Sequence, residues 1–235
     1  MPGRRLRLLS NSTEHGRGYL DHAWEAVAAL FAGVGEIVFV PYALRDHARY
    51  TGRVRERFAP AGIAVRALPL SDDAPRVLAE AAGVFVGGGN TFRLLDGLQR
   101  TGGLDVLRRR ALSGMPYLGS SAGTNITAPT IRTTNDMPIV QPASFDALGL
   151  VPFQINPHYL DAVPGTTHMG ETREQRLLEY LEENERPVLG LREGAWLAVD
   201  GDACRLEGRR AGRLFARDTD PRELPPGSDL GFLMR

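Results

Sequence analysis

Apolar residues follow two alternating patterns along the chain. Short continuous runs, such as residues 6–9 and 37–40, are rich in leucine and branched side chains, as buried strands are. The stretches between them, such as residues 46–58, space their apolar residues three or four positions apart, which is typical of amphipathic helices. Strands that alternate with helices in this way predict an α/β fold, with a mostly parallel sheet and helices on both of its faces.

The same patterns give the expected bounds of each element. The predicted strands cover residues 6–9, 37–40, 63–68, 83–86, a run ending at Leu118, 153–156 and 188–191. The predicted helices cover residues 19–31, 46–58, 75–82, 92–99, 104–112 and 170–185. Three later runs, at residues 196–199, 204–206 and 212–216, are separated by Gly or Asp turns and predict antiparallel strands appended to the sheet. Three prolines between residues 128 and 149 predict a long irregular connection, and we expect one α/β domain over residues 1–235.

The composition narrows the classes of partner and chemistry. The chain has 235 residues, of which 43% are hydrophobic, and a formal net charge of +0, so its charge balance favours neither nucleic acid nor an anionic membrane. All 28 basic residues are arginines, which excludes a Walker-type phosphate site, a Schiff base and a Ser-Lys dyad. Four of them, at positions 49, 53, 55 and 57, are interpreted as a solvated helix face and not as an anion site. Cys204 is the single cysteine, and the first residues predict a strand and not a signal peptide, so we expect a cytoplasmic protein.

The strongest chemical motif is the segment Gly-Ser-Ser-Ala-Gly at residues 119–123, a G-x-S-x-G that follows a predicted strand. Such a strand-to-helix turn is a nucleophile elbow, which would expose the hydroxyl of Ser121 at the carboxyl edge of the sheet. The N–H group of Ala122 would then face developing negative charge. The alternative is that Ser121 only caps the following helix.

A glycine-rich loop follows another predicted strand, at residues 87–91. It lacks the Lys-Ser/Thr of a P-loop and does not spell G-x-G-x-x-G, which disfavours a nucleotide site. Loops beyond the carboxyl ends of parallel strands lie at the same edge of the sheet. Gly88 or Gly89 is therefore expected to form an oxyanion hole together with Ala122, with Gly89 preferred.

A catalytic serine needs an imidazole base, and the chain has five histidines. Only His158 both follows a predicted strand and lies downstream of the elbow. Glu193, at the end of the next predicted strand, is one candidate to orient the imidazole, and Asp136 is the other. With Asp136 the chain order would match that of α/β-hydrolases, whereas Glu193 gives a different order. The structural alternatives are that His158 is a buried hydrogen-bonded residue and Glu193 a turn carboxylate.

Six segments of the sequence are similar to segments of one known protein family. They are residues 10–13, 86–92, the elbow, 129–139, 154–158 and 170–174. Together they resemble the peptidase E family, whose members are bacterial α-aspartyl dipeptidases, and the eleven-residue run at 129–139 is the most distinctive. The resemblance extends to about Trp196 and fades beyond Val199. Ser120 is a departure, because a family member has a bulky tryptophan at this position.

The resemblance implies a fold similar to class I glutamine amidotransferase domains, which are flavodoxin-like, with serine replacing their cysteine. It implies Ser121 as the nucleophile, His158 as the general base, and Glu193 or Asp136 as the third member. It also implies removal of the N-terminal aspartate from Asp-X dipeptides that have a free α-amine, without a metal or other cofactor.

Such a substrate needs a cation for its carboxylate and an acceptor for its ammonium group. Arg173 and Arg132 are the candidate cations, Asp136 is the candidate acceptor, and Asn90 is expected to contact the substrate. The expected partner is a small peptide, with no nucleic acid or membrane, and the protein is expected to be a monomer or homodimer. Two alternatives are a cyanophycinase-like β-aspartyl peptidase and a non-catalytic binding module on an amidotransferase-like scaffold.

Overall fold

The computed structural model of the chain describes residues 3–162, 165 and 170–235. Their strands form one sheet of seven strands and one of four. The strands are β1 (Arg5–Leu9), β2 (Glu36–Val40), β3 (Ala64–Ala67), β4 (Val84–Val86), β5 (Tyr117–Ser120), β6 (Gln154–Pro157), β7 (Val188–Leu191), β8 (Ala195–Asp200), β9 (Ala203–Gly208), β10 (Gly212–Phe215) and β11 (Arg222–Leu224). The α-helices are α1 (Trp24–Leu30), α2 (His47–Phe58), α3 (Ala74–Glu80), α4 (Thr91–Arg100), α5 (Gly103–Leu112), α6 (Ala122–Asn125) and α7 (Arg173–Glu183).

The larger sheet has the strand order β3-β2-β4-β5-β1-β8-β9. Its first five strands are parallel, and β8 and β9 continue it as antiparallel strands. In the register of β1 with β5, Leu9 lies opposite Ser120. The carboxyl ends of the parallel strands therefore meet at one edge. There β1 leads into the polar segment at residues 10–13, β4 into the glycine loop and β5 into the elbow.

Alternate residues of the strands pack on opposite faces of this sheet, because successive side chains of a strand point in opposite directions. On one face, Val38, Val84 and their neighbours pack against α3, α4 and α5. On the other face, Phe39, Phe85 and their neighbours pack against α1 and α2. The helices thus cover both faces, which confirms the predicted α/β class.

The smaller sheet has the order β11-β10-β7-β6 and corrects one expectation. The sequence pattern predicts all the late strands as additions to a single sheet, yet only β8 and β9 join it. Strands β6 and β7 are parallel to each other, and β10 and β11 add to them as antiparallel strands. The strand β11 was not predicted from the pattern. Helix α7 packs on this sheet through Leu177 and Leu181.

The helix bounds differ from prediction mainly at the amino-terminal ends. The helix predicted from residue 19 begins with a 3-10 turn, Asp21–Ala23, and is α-helical only over Trp24–Leu30. The helix predicted from residue 170 begins at Arg173, because Thr172 caps it in a reciprocal capping box with Gln175. Residues 126–153 contain no helix or named strand in the described chain, as the prolines predict. No helix among the described residues is long and apolar enough to cross a membrane.

Candidate active site

The elbow lies where the sequence predicts it, between β5 and α6. Ser121 has a φ of 52° and a ψ of −110°, a conformation that residues with a side chain rarely adopt and that marks a strained turn. Its N–H group donates to the carbonyl oxygen of Leu9 at 3.0 Å, which fixes the turn to the neighbouring strand β1. The hydroxyl is directed at His158 and not at the helix that it precedes.

His158 follows β6 directly and also has a positive φ, 55°. Its Nε2 lies 2.9 Å from the Ser121 Oγ, and its Nδ1 lies 2.7 Å from the Glu193 Oε1. With the proton on Nδ1, the imidazole donates to the carboxylate and accepts from the hydroxyl. Serine, histidine and glutamate therefore form a continuous chain of hydrogen bonds, the arrangement needed to activate a nucleophile.

The three side chains come from two different sheets. Ser121 follows a strand of the seven-stranded sheet, whereas His158 and Glu193 follow β6 and β7 of the four-stranded sheet. The end of β1 holds the two sheets together. The buried Ser10 hydroxyl accepts from the His158 N–H at 2.9 Å and donates to the Leu191 carbonyl at 2.8 Å.

Asn11 extends this connection by one residue. Its Oδ1 accepts from the N–H of Gly194, immediately after Glu193, at 2.8 Å. From the sequence, residues 10–13 are identified only as one of the segments that carry the family resemblance. Their position at the end of a predicted strand is the signal that could have marked them as site residues.

The glycine loop lies against Ser121. A Cβ atom placed on Gly88 would lie 3.0 Å from the Cβ of Ser121, so the absence of a side chain allows this approach. The Gly88 N–H donates to the hydroxyl of Tyr50 at 2.8 Å, and burial raises the pKa of that phenol, which keeps it protonated. Gly89 has a φ of 132°, and its N–H remains the candidate to pair with Ala122.

Asp136 is held away from the imidazole. Its Oδ2 accepts hydrogen bonds from the N–H and the hydroxyl of Thr91, both at 2.7 Å, and from the hydroxyl of Thr134 at 3.1 Å. These contacts fix the carboxylate at the start of α4, on the wall of the cavity that contains Ser121. Because Glu193 occupies the Nδ1 of His158, the geometry does not support the alternative in which Asp136 orients the imidazole.

Two of the residues expected to contact the substrate, Asn90 and Arg132, are not among those that line the cavity around Ser121. The side chain of Asn90 caps α4 by accepting from the Arg93 N–H at 3.0 Å, and it donates to the Met137 carbonyl at 2.8 Å. Both of its polar atoms are therefore used locally. Arg132 is exposed, stacks 5.5 Å from the ring centre of Phe145 and lines two other cavities.

Arg173 is half-buried at the start of α7. Burial lowers the pKa of its guanidinium group, and Arg176 adds to this effect. The charge of Asp136 acts in the opposite direction, so the carboxylate and the guanidinium influence each other electrostatically. Both arginines that the sequence nominates are thus related to Asp136, Arg173 through its charge and Arg132 by lining a second cavity together with that carboxylate.

The cavity around Ser121 has a volume of about 940 Å³. Besides Ser121, His158 and the two glycines, its wall includes Arg45, Arg49 and Arg53. Arg49 and Arg53 are exposed, as expected for a solvated helix face, and they also lie on the wall of this cavity. They are four residues apart on α2 and therefore neighbours on one side of it, and Arg45 lies shortly before the helix.

The chain was compared with known protein families and with solved structures. The model of Peptidase family S51 matches residues 6–207. The chain is 60% identical to peptidase E of Streptomyces coelicolor over 229 residues, which cover 97% of this chain and 94% of that protein. It is 50% identical to the probable alpha-aspartyl dipeptidase of Drosophila melanogaster, over 99% of this chain and 98% of that protein. The crystal structure of a peptidase from an acI-B1 actinobacterium has a similar fold, with a TM-score of 0.72, 17% identity and 97% of each chain covered.

Proposed function

The chain belongs to Peptidase family S51, and we propose that it hydrolyses Asp-X dipeptides with Ser121 as the nucleophile. Its relatives named peptidase E and probable alpha-aspartyl dipeptidase match nearly its whole length. The observation that carries the proposal is the hydrogen-bonded chain of Ser121, His158 and Glu193 beside a cavity of about 940 Å³.

The proposed reaction begins with attack of the Ser121 Oγ on the carbonyl carbon of the aspartyl residue. His158 accepts the hydroxyl proton on Nε2, and Glu193 stabilises the resulting imidazolium. The N–H groups of Gly89 and Ala122 stabilise the oxyanion of the tetrahedral intermediate. The Ala122 N–H suits this role because the first N–H groups of a helix have no partner within the helix.

Collapse of the intermediate breaks the peptide bond, and His158 donates its proton to the departing amine. Water then attacks the aspartyl ester on Ser121, with His158 again accepting a proton, and releases aspartate. In the proposed complex Asp136 accepts a hydrogen bond from the substrate ammonium group. Arg173 provides the cation for the carboxylate of the aspartyl side chain.

The decisive experiment compares wild-type protein with Ser121→Ala on Asp-Leu. Loss of the nucleophile is expected to lower kcat by at least about a thousandfold, with an unchanged thermal midpoint. Ser113→Ala, which changes an exposed serine after α5, is the control. Near-normal hydrolysis by Ser121→Ala would contradict the serine mechanism.

Two further substrates test the specificity. N-acetyl-Asp-Leu should be a poor substrate, because it lacks the ammonium group that Asp136 is proposed to bind. A preference for β-Asp-Arg over Asp-Leu would instead identify a β-aspartyl peptidase. Failure of wild-type protein to react with a serine-directed acyl-transfer inhibitor would favour a non-catalytic binding module. We also propose a cytoplasmic location, because a chain with the single cysteine Cys204 suits a reducing compartment.

A further inference from the structure

One wall of the nucleophile's cavity carries a row of three arginines. Arg45 precedes α2, and Arg49 and Arg53 follow at intervals of four residues along it. Residues four apart on a helix are neighbours on one side of it. Arg49 and Arg53 are therefore adjacent on α2, Arg45 lines the same cavity from the segment before the helix, and none of the reaction steps described above uses this row.

Two of these guanidinium groups are available for a ligand. Within the described part of the chain, no carboxylate lies within ion-pairing distance of Arg45 or Arg49. Asp46, the nearest acid in sequence, uses its Oδ1 to accept from the Arg49 N–H at the start of α2. Arg53 is held differently, since it donates to the Thr13 hydroxyl at 3.2 Å and stacks 4.3 Å from the ring centre of Tyr19.

The row lines the same cavity as Ser121. Tyr50, the residue after Arg49, reaches the Gly88 N–H with its hydroxyl. A Cβ on Gly88 would in turn lie 3.6 Å from the Ser121 Oγ. Consecutive Cα atoms of a peptide are only about 3.8 Å apart, and an arginine side chain is long and flexible. A dipeptide acylating Ser121 would thus have its second residue within reach of Arg45 and Arg49.

The other charged groups of the site are already assigned to the first residue of the substrate. Asp136 is fixed at the start of α4 by Thr91 and Thr134, and Arg173 is electrostatically coupled to it. Arg49 and Arg53 lie on a different element, α2, and Arg45 shortly before it, on the wall of the same cavity. Two cations without a carboxylate partner on that wall match a ligand with one or two negative charges.

We propose that Arg45 and Arg49 bind a carboxylate of the leaving residue X and so determine which Asp-X dipeptides the protein prefers. This proposal rests on the proposed function. The carboxylate has two possible sources, the terminal carboxylate of any dipeptide and the side chain of an acidic X. Binding of both would make Asp-Glu and Asp-Asp the best substrates.

Two matched pairs of substrates separate these sources. Asp-Glu and Asp-Gln differ only in the charge of the X side chain, and Asp-Leu and Asp-leucinamide differ only in the charge of the terminus. The wild-type protein is expected to favour the charged member of at least one pair by about tenfold in kcat/KM, as expected for a charge-assisted hydrogen bond. Raising the salt concentration should reduce this preference, because the arginines are exposed.

The variant Arg45→Gln/Arg49→Gln should reduce the preference to about twofold or less. Exposed substitutions of this kind have little effect on stability, which the thermal midpoint would verify. Arg109→Gln, on the exposed side of α5 and outside the cavity wall, is the control and should keep the wild-type preference. A wild-type preference near one in both pairs, or a preference that the double variant retains, would overturn the proposal.

Binding measurements keep this test independent of turnover. Calorimetric titration of the Ser121→Ala protein with each dipeptide should show the same charge preference and the same loss in the double-arginine background. If wild-type protein hydrolyses Asp-Leu but shows no charge preference, only the arginine proposal fails. If it hydrolyses no Asp-X dipeptide and the titrations show no binding, both proposals fail.

Discussion

Ser121 and His158 both have a positive φ, of 52° and 55°. Such conformations cost about 1–3 kcal/mol each and persist only where the surrounding structure holds them. The holding contacts come from two adjacent residues, the last of β1 and the one after it, because Leu9 accepts from the Ser121 N–H and Ser10 accepts from the His158 N–H. These two residues therefore set the position of both the proposed nucleophile and the proposed base.

The two carboxylates of the site should respond differently to neutralisation. Glu193→Gln should lower kcat for Asp-Leu by at least about tenfold with little change in KM, because the amide cannot stabilise the imidazolium. Asp136→Asn should mainly raise KM, since that carboxylate is proposed to bind the substrate ammonium group. Steady-state kinetics of both variants measures the difference.

The control for this pair is Glu179→Gln, which neutralises an exposed carboxylate on α7. It should leave both kinetic constants unchanged. A larger fall in kcat for Asp136→Asn than for Glu193→Gln would make Asp136 the residue that orients the imidazole. Thermal unfolding of each variant verifies that the fold is retained.

At the scale of elements, the local signals in the sequence predict most helices but not always their first residue. Asp46 caps α2 at its predicted start, whereas Thr172 caps α7 two residues after the predicted start, although both are residue types that favour such positions. The G-x-S-x-G predicted the elbow because its glycines permit close packing at a sharp turn. The arginine row was missed because spacing alone does not distinguish a solvated helix side from a cavity wall.

The glycine loop between β4 and α4 is an element whose backbone tolerates little change. Gly89 has a φ of 132°, and a Cβ on it would lie 2.6 Å from the Ala43 carbonyl oxygen. Gly89→Ala is therefore expected to lower the free energy of unfolding by about 1–3 kcal/mol. It should also lower kcat, because the strained loop would displace the proposed oxyanion donor.

Chemical denaturation and steady-state kinetics test this prediction, with Gly52→Ala as the matched control. Gly52 lies within α2, and a Cβ there would meet nothing within 4 Å. Alanine is the better helix former, so the control should gain up to about 1 kcal/mol and keep its activity. Equal stability of Gly89→Ala and wild type would show that the loop relaxes without cost.

For the whole molecule, what the sequence pattern could not predict is the division into two sheets. Strands β6 and β7 are buried along their whole length, like β4 and β5 of the larger sheet, so the sequence pattern predicts the same environment for them. The division depends on which strands pair, and pairing partners are distant in sequence. The pattern predicts that His158 and Glu193 follow successive strands along the chain, and the structure pairs these two strands as β6 and β7.

The buried hydroxyl of Ser10 is the contact where the two sheets and the site meet. Ser10→Ala would leave the His158 N–H and the Leu191 carbonyl without this partner, at a cost of about 1–3 kcal/mol. For a chain of this size that corresponds to a fall of about 2–12 °C in the thermal midpoint. The activity should fall as well, because the His158 backbone is no longer held in its strained conformation.

Ser120, the last residue of the neighbouring strand β5, provides a comparison with Ser10 within the same chain. It is as deeply buried as Ser10, but within the described chain its hydroxyl has no hydrogen-bond partner. Ser120→Ala removes an unsatisfied polar group and should leave the thermal midpoint unchanged or raise it. If Ser10→Ala and Ser120→Ala lose stability equally, the loss comes from removing a buried hydroxyl and not from the Ser10 contact between the two sheets. If only Ser10→Ala loses both stability and kcat, the junction between the sheets is what positions His158 opposite Ser121.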